Sequence, residues 1–431
     1  MKRHLSIMFL FVLISLLVSS KKTKAEVNEF QGKVNGDIYG QVRVIEDVDG
    51  DGNKDLIFGA TDGKIHIYSS AGKEIFRPPY WPKQVNAPIT SSIEVTDLDG
   101  TGNINILAST MSGTLYCLNA TGKELWKYNT SGGVITSPPV VSDLEGNGKQ
   151  DIIINSGSGK VTLLGSNGHP KCIFDVEYPV RATPVPYDTN GRGVKEIVIK
   201  DSTGKISIFN HNGNKEFEWM TGGIQEGQWP FNIEVSDVDG DGKPEVFGTD
   251  STGSSGVFNM WDNEGKLLSS FSLNEAAHGA PKVADIDGDG VDDFIIAQCD
   301  GKVLVCDKNG KCKKGWPFQN SYGILSAPSI IDLDGDGSPE IVYTCNNGAY
   351  KDEKAGCIVA LKKDGSMVDD FPKFIGKTYA PLTFADLDGD GILEIIAAGG
   401  IGYTGPQLHV IKTVAKPKFK LVTLRQEVNV K

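Results

Sequence analysis

The nine residues Asp285-Ile-Asp-Gly-Asp-Gly-Val-Asp-Asp293 decide the architecture of this chain. Acidic side chains occupy positions 1, 3, 5 and 9 of the stretch, and glycines occupy positions 4 and 6. Calcium is a hard cation that takes six to eight oxygen ligands, and alternating carboxylates supply them. Glycine tolerates the positive φ that a loop needs to wrap tightly around an ion. Without a cation, carboxylates this close repel one another.

The loop recurs along the sequence. Copies DVDGDGNKD, DVDGDGKPE, DLDGDGSPE and DLDGDGILE begin at Asp47, Asp237, Asp332 and Asp386. Weaker copies DLDGTGNIN, DLEGNGKQD and DTNGRGVKE begin at Asp97, Asp143 and Asp188. Eight units spaced 45 to 54 residues apart mark a repeat architecture. An EF-hand would need a bidentate acid at position 12, with helices on either side. That position holds Phe58, Gly248, Ile296, Tyr343 or Ala397 in the full copies. The residues after each loop, such as Phe294-Ile-Ile-Ala297, are β-branched and aromatic and read as strand.

Unit six shows the internal pattern best. Strands are expected at Lys282 to Ala284, Asp293 to Gln298, Lys302 to Cys306 and Lys311 to Trp316, with turns at Asp300-Gly301 and Asn309-Gly310. Four antiparallel strands in each of eight units predict an all-β fold, a β-propeller of eight four-stranded blades, with seven as the alternative. The last unit lacks a fourth strand after Gln407 to Lys412, and Glu26 to Val34 resembles one. The N-terminal strand is therefore expected to close the ring, with Lys418 to Leu424 as the rival.

Each full loop offers side chains at positions 1, 3, 5 and 9 and a main-chain carbonyl at position 7. The candidate calcium ligands are Asp47, Asp49, Asp51, Asn53 and Asp55 in the first loop, and Asp237, Asp239, Asp241, Lys243 and Glu245 in the fifth. They are Asp285, Asp287, Asp289, Val291 and Asp293 in the sixth, Asp332, Asp334, Asp336, Ser338 and Glu340 in the seventh, and Asp386, Asp388, Asp390, Ile392 and Glu394 in the eighth. Affinities of ~10⁻⁴–10⁻³ M are expected for extracellular modules of this kind. At calcium ten times Kd, each site adds roughly 1.4 kcal/mol, and five independent sites about 7 kcal/mol. Such ions are structural, and a full carboxylate set leaves little room for a substrate. Units two (Thr101, Asn105) and four (Asn190, Arg192) have lost acids and are expected to hold no metal; unit three (Glu145, Asn147) stays open.

Length alone, 431 residues, suggests about three domains, but repeats share one continuous core. The formal charge is −12. Residues 1–25 carry five basic side chains and no acid, so the chain without them stands at −17, and five calcium ions would bring it to −7. That acidity argues against a nucleic-acid partner, which needs basic patches. Lys2 and Arg3, the apolar run Ile7 to Val18 and the small-residue site Thr23-Lys-Ala25 read as a secretory signal over 1–25, with a retained anchor as the alternative. The expected layout is signal 1–25, propeller 26–415 and C-terminal tail 416–431, secreted or extracytoplasmic, with no membrane span after cleavage.

Seven cysteines leave one unpaired at least. Cys306/Cys312 and Cys345/Cys357 each flank a turn and could bridge in an exported chain. No CxxC spacing occurs, which disfavours zinc and attached haem. Catalytic signatures are missing: there is no HExxH or GxSxG, and the Gly-Lys pairs lack phosphate-loop spacing. Long connections expected on the face opposite the acidic loops are Arg77 to Asn86, Met220 to Pro230, Pro317 to Ser326, Asn346 to Gly356 and Gly399 to Pro406. They carry Tyr80, Trp81, Trp229, Phe318, Tyr322, Tyr350 and Tyr403, residue types enriched in interfaces.

The acidic loops, with Asp55-Leu-Ile-Phe-Gly-Ala60 and Gly279-Ala-Pro281, resemble FG-GAP repeats, the calcium-binding blade units of integrin α-subunit propellers. That resemblance implies calcium as the ligand; integrin propellers have seven blades, so blade number is not carried over. Leu115-Tyr-Cys-Leu-Asn-Ala-Thr-Gly-Lys-Glu-Leu-Trp126 is similar to the repeats of eight-bladed pyrroloquinoline-quinone propellers. The expected function is a monomeric binding or adhesion module for a protein or glycan partner. The alternative is a secreted polysaccharide-degrading, lyase-like enzyme, and a quinone oxidoreductase ranks third. Acidic and basic residues clustered at the centre beside an open groove would mark the enzyme, and an aromatic rim the binder.

Overall fold

The computed structural model describes residues 29–130, 133–135, 137–222, 232–252, 255–346, 355–401 and 405–413. Among them the chain forms eight antiparallel sheets and no α-helix. The expected signal and tail, together with Trp229, Tyr350 and Tyr403, lie outside the described residues.

Blade 1 is typical: Arg43–Ile45, Asp55–Gly59, Lys64–Tyr68 and Lys83–Gln84 pair in sequence order. First strands of neighbouring blades touch one another, which places them at the axis. Second strands are buried along their whole length, as in Asp55–Gly59, Asp151–Asn155 and Glu394–Gly399. This burial explains why they read as unbroken β-branched runs rather than alternating ones. In blade 7 the first strand is split into Gly323–Ile324 and Ser329–Ile331, both paired with Glu340–Asn346.

One apolar cluster fills each junction between consecutive blades. The junction of blades 1 and 2 buries Ile57, Ile67, Ile93 and Ile106. That of blades 8 and 1 buries Val42, Leu56, Ile396 and Leu408, so the ring is closed. Closure uses the N-terminus as expected: Phe30–Lys33 pairs antiparallel with Gln407–Lys412, with Phe30 opposite Val410 and Lys33 opposite Gln407.

A second contact interlocks the blades. Trp81, Trp126, Trp219 and Phe271, on or just before fourth strands, each cover the turn glycine of the next blade: Gly122, Gly168, Gly265 and Gly310. Phe30 does the same to Gly72, so the N-terminal strand fills the fourth-strand role in packing as well as pairing. A Cβ on Gly122 would stand 2.8 Å from the Trp81 ring.

Two expectations need correction. The fourth strand of blade 6 is Phe318–Gln319, not Lys311 to Trp316. Cys312 forms only a single bridge to Cys306, and Trp316-Pro317 then interrupts the ladder, because proline has no N–H to donate. Trp81-Pro82 and Phe371-Pro372 likewise precede two-residue fourth strands. The second correction concerns Arg77 to Trp81. This segment precedes the fourth strand Lys83–Gln84, so it lies at the acidic-loop end of the blade, not on the opposite face. Of the two expected local bridges, Cys345–Cys357 is a disulfide, whereas Cys306 and Cys312 are thiols.

Candidate metal centre

Each acidic loop joins a first strand to a second. Its main chain is held by its own carboxylates. Position 1 accepts the amide of position 6, as Asp47 does from Gly52 at 2.8 Å and Asp285 from Gly290 at 2.9 Å. Position 5 accepts the amide of position 7: Asn53 N to Asp51 is 2.8 Å, Lys243 N to Asp241 2.7 Å and Val291 N to Asp289 2.8 Å. Ser338 N to Asp336 and Ile392 N to Asp390 are both 2.7 Å. The loop glycines have positive φ, +80° at Gly288 and +87° at Gly290, and no atom stands within 4 Å of a Cβ built there. Glycine is needed for its backbone conformation and not for space.

Position 9 begins the second strand and is buried in all five full loops. One oxygen accepts the amide of position 2: Val48 to Asp55 at 2.6 Å, Val238 to Glu245 at 2.9 Å, Leu333 to Glu340 at 2.7 Å and Leu387 to Glu394 at 2.9 Å. The other oxygen, Oδ1 of Asp55 and Oε1 of Glu394, is buried without a hydrogen-bond partner. Burial, helped by the neighbouring loop aspartates, pushes Asp55, Glu245, Glu340 and Glu394 up to about 7.

Three acids in each loop bring a carboxylate oxygen within 4.8 Å of one another. They are Asp47, Asp49 and Asp55; Asp237, Asp239 and Glu245; Asp285, Asp287 and Asp289; Asp332, Asp334 and Asp336; and Asp386, Asp388 and Asp390. Hard oxygen donors, a partnerless buried carboxylate oxygen and glycine corners fit calcium rather than a softer metal.

The three weaker loops keep the same backbone frame but satisfy it internally. Asn105 accepts the Leu98 amide at 3.1 Å where the full loops use an acid. In unit four, Asn190 donates to Glu196 at 2.8 Å, and the Arg192 guanidinium lies 3.4 Å away. In unit three, Lys171 bridges Glu145 at 2.7 Å and Asp151 at 2.6 Å.

Two further regions carry chemistry that sequence reading did not single out. At the axis, Arg43 pairs with Glu94 at 2.6 Å, and Lys282 pairs with Glu234 at 2.9 Å, each pair linking adjacent blades. On the face away from the acidic loops, Tyr39 and Tyr379 stack with centroids 5.9 Å apart, and the Lys377 ammonium lies 5.1 Å from the Tyr379 ring centre. A signal for both existed in the sequence: the axial residues stand three or four places before the first aspartate of their loop, and Tyr39, Tyr379 and Lys377 seven to nine places before it. Of the expected rim aromatics, Tyr80 and Trp81 line a cleft of about 380 Å³ beside Asp47 and Thr121 on the acidic-loop face.

Residues 188–248, 237–296, 285–343 and 332–397 match the FG-GAP-like repeat, each segment starting on the first aspartate of an acidic loop. Residues 77–142 match the lambda-carrageenase beta-propeller domain. The protein is a β-propeller carrying FG-GAP-like repeats. No curated protein matches it at a significant level. Among solved structures, Sqt1 of Saccharomyces cerevisiae is similar at a TM-score of 0.62 and 12% identity, over 90% of this chain and 98% of that one. BamB from Moraxella catarrhalis is 14% identical over 76% of this chain and 81% of its own, with a TM-score of 0.48. BBS1N, solved in complex with ARL6DN, is 14% identical over 81% and 96%, also at 0.48. At such identities the likeness to Sqt1 concerns the fold alone. Among the described residues, no helix is long and apolar enough to cross a membrane.

Proposed function

We propose that the protein is an exported, calcium-stabilised propeller that acts as a binding module for a glycan or protein partner. The observation that carries the metal reading is the pair of buried, partnerless oxygens on Asp55 and Glu394, each facing a loop of further carboxylates. A buried polar atom left unpaired costs roughly 1–3 kcal/mol, more if charged. Bound calcium would supply the positive charge that these oxygens lack. In the five full loops, the side chains at positions 1, 3, 5 and 9 would hold it, with the carbonyl of position 7.

Because those loops tie first strands to second strands, the metals belong to the scaffold, and the partner is placed on the opposite face. Tyr39, Tyr379 and Lys377 lie there, with exposed Met111 and Tyr178 on the same side. Stacked aromatics beside a cation suit sugar rings and peptide side chains alike. The charges at the axis are already paired across blades, which favours scaffold over catalysis for them.

A second reading, a polysaccharide-degrading enzyme, is favoured by the match of residues 77–142 to the lambda-carrageenase propeller domain. It would place the substrate in the Tyr80–Trp81 cleft on the acidic-loop face. A glycan and protein array probed with and without calcium tests both. Binding abolished by Tyr379→Ala and kept by Tyr80→Ala supports the first reading. Loss in Tyr80→Ala, with new reducing ends released from a carrageenan, supports the second.

A further inference from the structure

The five full loops differ in what already stands in them. In the sixth, the Lys313 ammonium lies 2.8 Å from Asp287, 2.8 Å from Asp289 and 3.0 Å from Asp293. It thus touches three of the four acids that the loop offers a metal. In the eighth, the Lys412 ammonium lies 3.0 Å from Asp390 and 3.5 Å from Asp388. Among the described residues, no ion pair to the acids of the first, fifth or seventh loop is seen.

For the sixth loop the difference follows a register position, whereas Lys412 stands on the third strand of blade 8, opposite Glu394. Each of blades 1 to 7 opens its last segment with a bridge to the third strand, as at Tyr68–Glu74, Leu164–Pro170, Trp261–Leu267, Cys306–Cys312 and Leu361–Met367. The residue after that bridge is Ile75, Leu268 or Val368 in blades 1, 5 and 7. It is Lys171 in blade 3 and Lys313 in blade 6. In both of those blades, the lysine at this position reaches the acids of its own loop. The third blade has in addition lost an acid, at Asn147, so its lysine stands in a loop that no longer has a full ligand set.

We infer that Lys313, and more weakly Lys412, are built-in competitors for the metal, so that the five full loops fall into a metal-dependent class at Asp47, Asp237 and Asp332 and a lysine-gated class at Asp285 and Asp386. An ammonium and a calcium ion compete for the same carboxylates, and the calcium must displace Lys313 from three of them. A metal-poor wheel is thereby pinned at blades 6 and 8 by its own side chains, and the other three loops respond to calcium first. This inference rests on the calcium reading given above.

The test is calorimetric titration of the metal-stripped protein with calcium chloride, alongside thermal denaturation with and without calcium. The expected wild-type isotherm shows three tighter sites and two weaker ones. Lys313→Met should move one site into the tighter class, a gain of tenfold or more, and Lys412→Met should move another by less. Lys313→Arg should keep the weak site. Without calcium Lys313→Met should melt earlier than wild type, and calcium should close that gap. Five equivalent wild-type sites, or an isotherm unchanged in both methionine variants, would overturn the inference and leave the calcium reading standing. A melting loss in Lys313→Met that persists unchanged in calcium would also overturn it, because a purely structural lysine behaves that way. A wild-type protein that takes up no calcium would overturn the calcium reading itself.

Discussion

Asp55 has no solvent exposure, one oxygen bonded to the Val48 amide and another with no hydrogen-bond partner. Replacing it with asparagine removes a charge that burial disfavours but also removes a proposed metal ligand. The two effects have opposite signs and can be separated. Without calcium, Asp55→Asn should melt at the wild-type temperature or above. With calcium at ten times Kd, it should forgo roughly 1.4 kcal/mol of stabilisation. Scanning fluorimetry of both proteins in chelator and in calcium checks this. At the same scale, the clustering of the loop acids was legible because oxygen donors at alternate positions leave a mark in a one-dimensional string. Lys313 left none: it stands 20 residues after Asp293, and only the bridge Cys306–Cys312 brings it over the loop. The buried ion pair of Lys200 with Asp250 was hidden for the same reason, since it joins blades 4 and 5 across 50 residues.

At the scale of the element, the second and third strands of unit six followed their predicted bounds closely, at Asp293–Ala297 and Lys302–Cys306, because each is a buried run closed by an Asx-Gly turn. Its fourth strand did not, for a reason that outer strands share. They are the outer edge of each blade, half exposed, and proline shortens them in blades 1, 6 and 7. The misplacement of Tyr80 and Trp81 came from this shortening. What those outer segments do instead is carry the aromatic that covers the next blade's turn glycine. Gly122→Ala would drive a Cβ into Trp81 at a residue with φ +86°. Gly100→Ala meets no atom within 4 Å at φ +72°. The strained backbone alone costs about 1–2 kcal/mol, and overpacking adds about 1–3 kcal/mol. Urea unfolding should therefore show Gly122→Ala less stable than Gly100→Ala by at least about 1 kcal/mol. Equal losses would remove the interlock from the account of blade order.

For the molecule as a whole, the period near 48 residues was enough to give the eight-bladed wheel, and the missing eighth outer strand pointed to the N-terminus. The partner was not legible, because the face assigned to it is built from connections that the repeat does not constrain. Stability should track calcium and pH together. Asp55, Glu245, Glu340 and Glu394 are pushed up to about 7 in the folded state. A carboxyl raised in this way favours the fold below its unfolded value and withdraws that support as pH climbs through the folded one. His409, held near 4 by burial, stays neutral above its usual 6.5 and does not oppose the trend there. In chelator the melting temperature should thus fall between pH 6.5 and about 8. In calcium the fall should vanish or reverse, and the gap between the two curves should widen with pH.

The seam between Phe30–Lys33 and Gln407–Lys412 has a temporal meaning as well. The strand made first must wait for the strand made almost last, with seven blades laid down in between. A nascent chain therefore carries an open arc with two unsatisfied edges, however well its early blades have folded. The wheel closes only once both strands of the seam are free to meet.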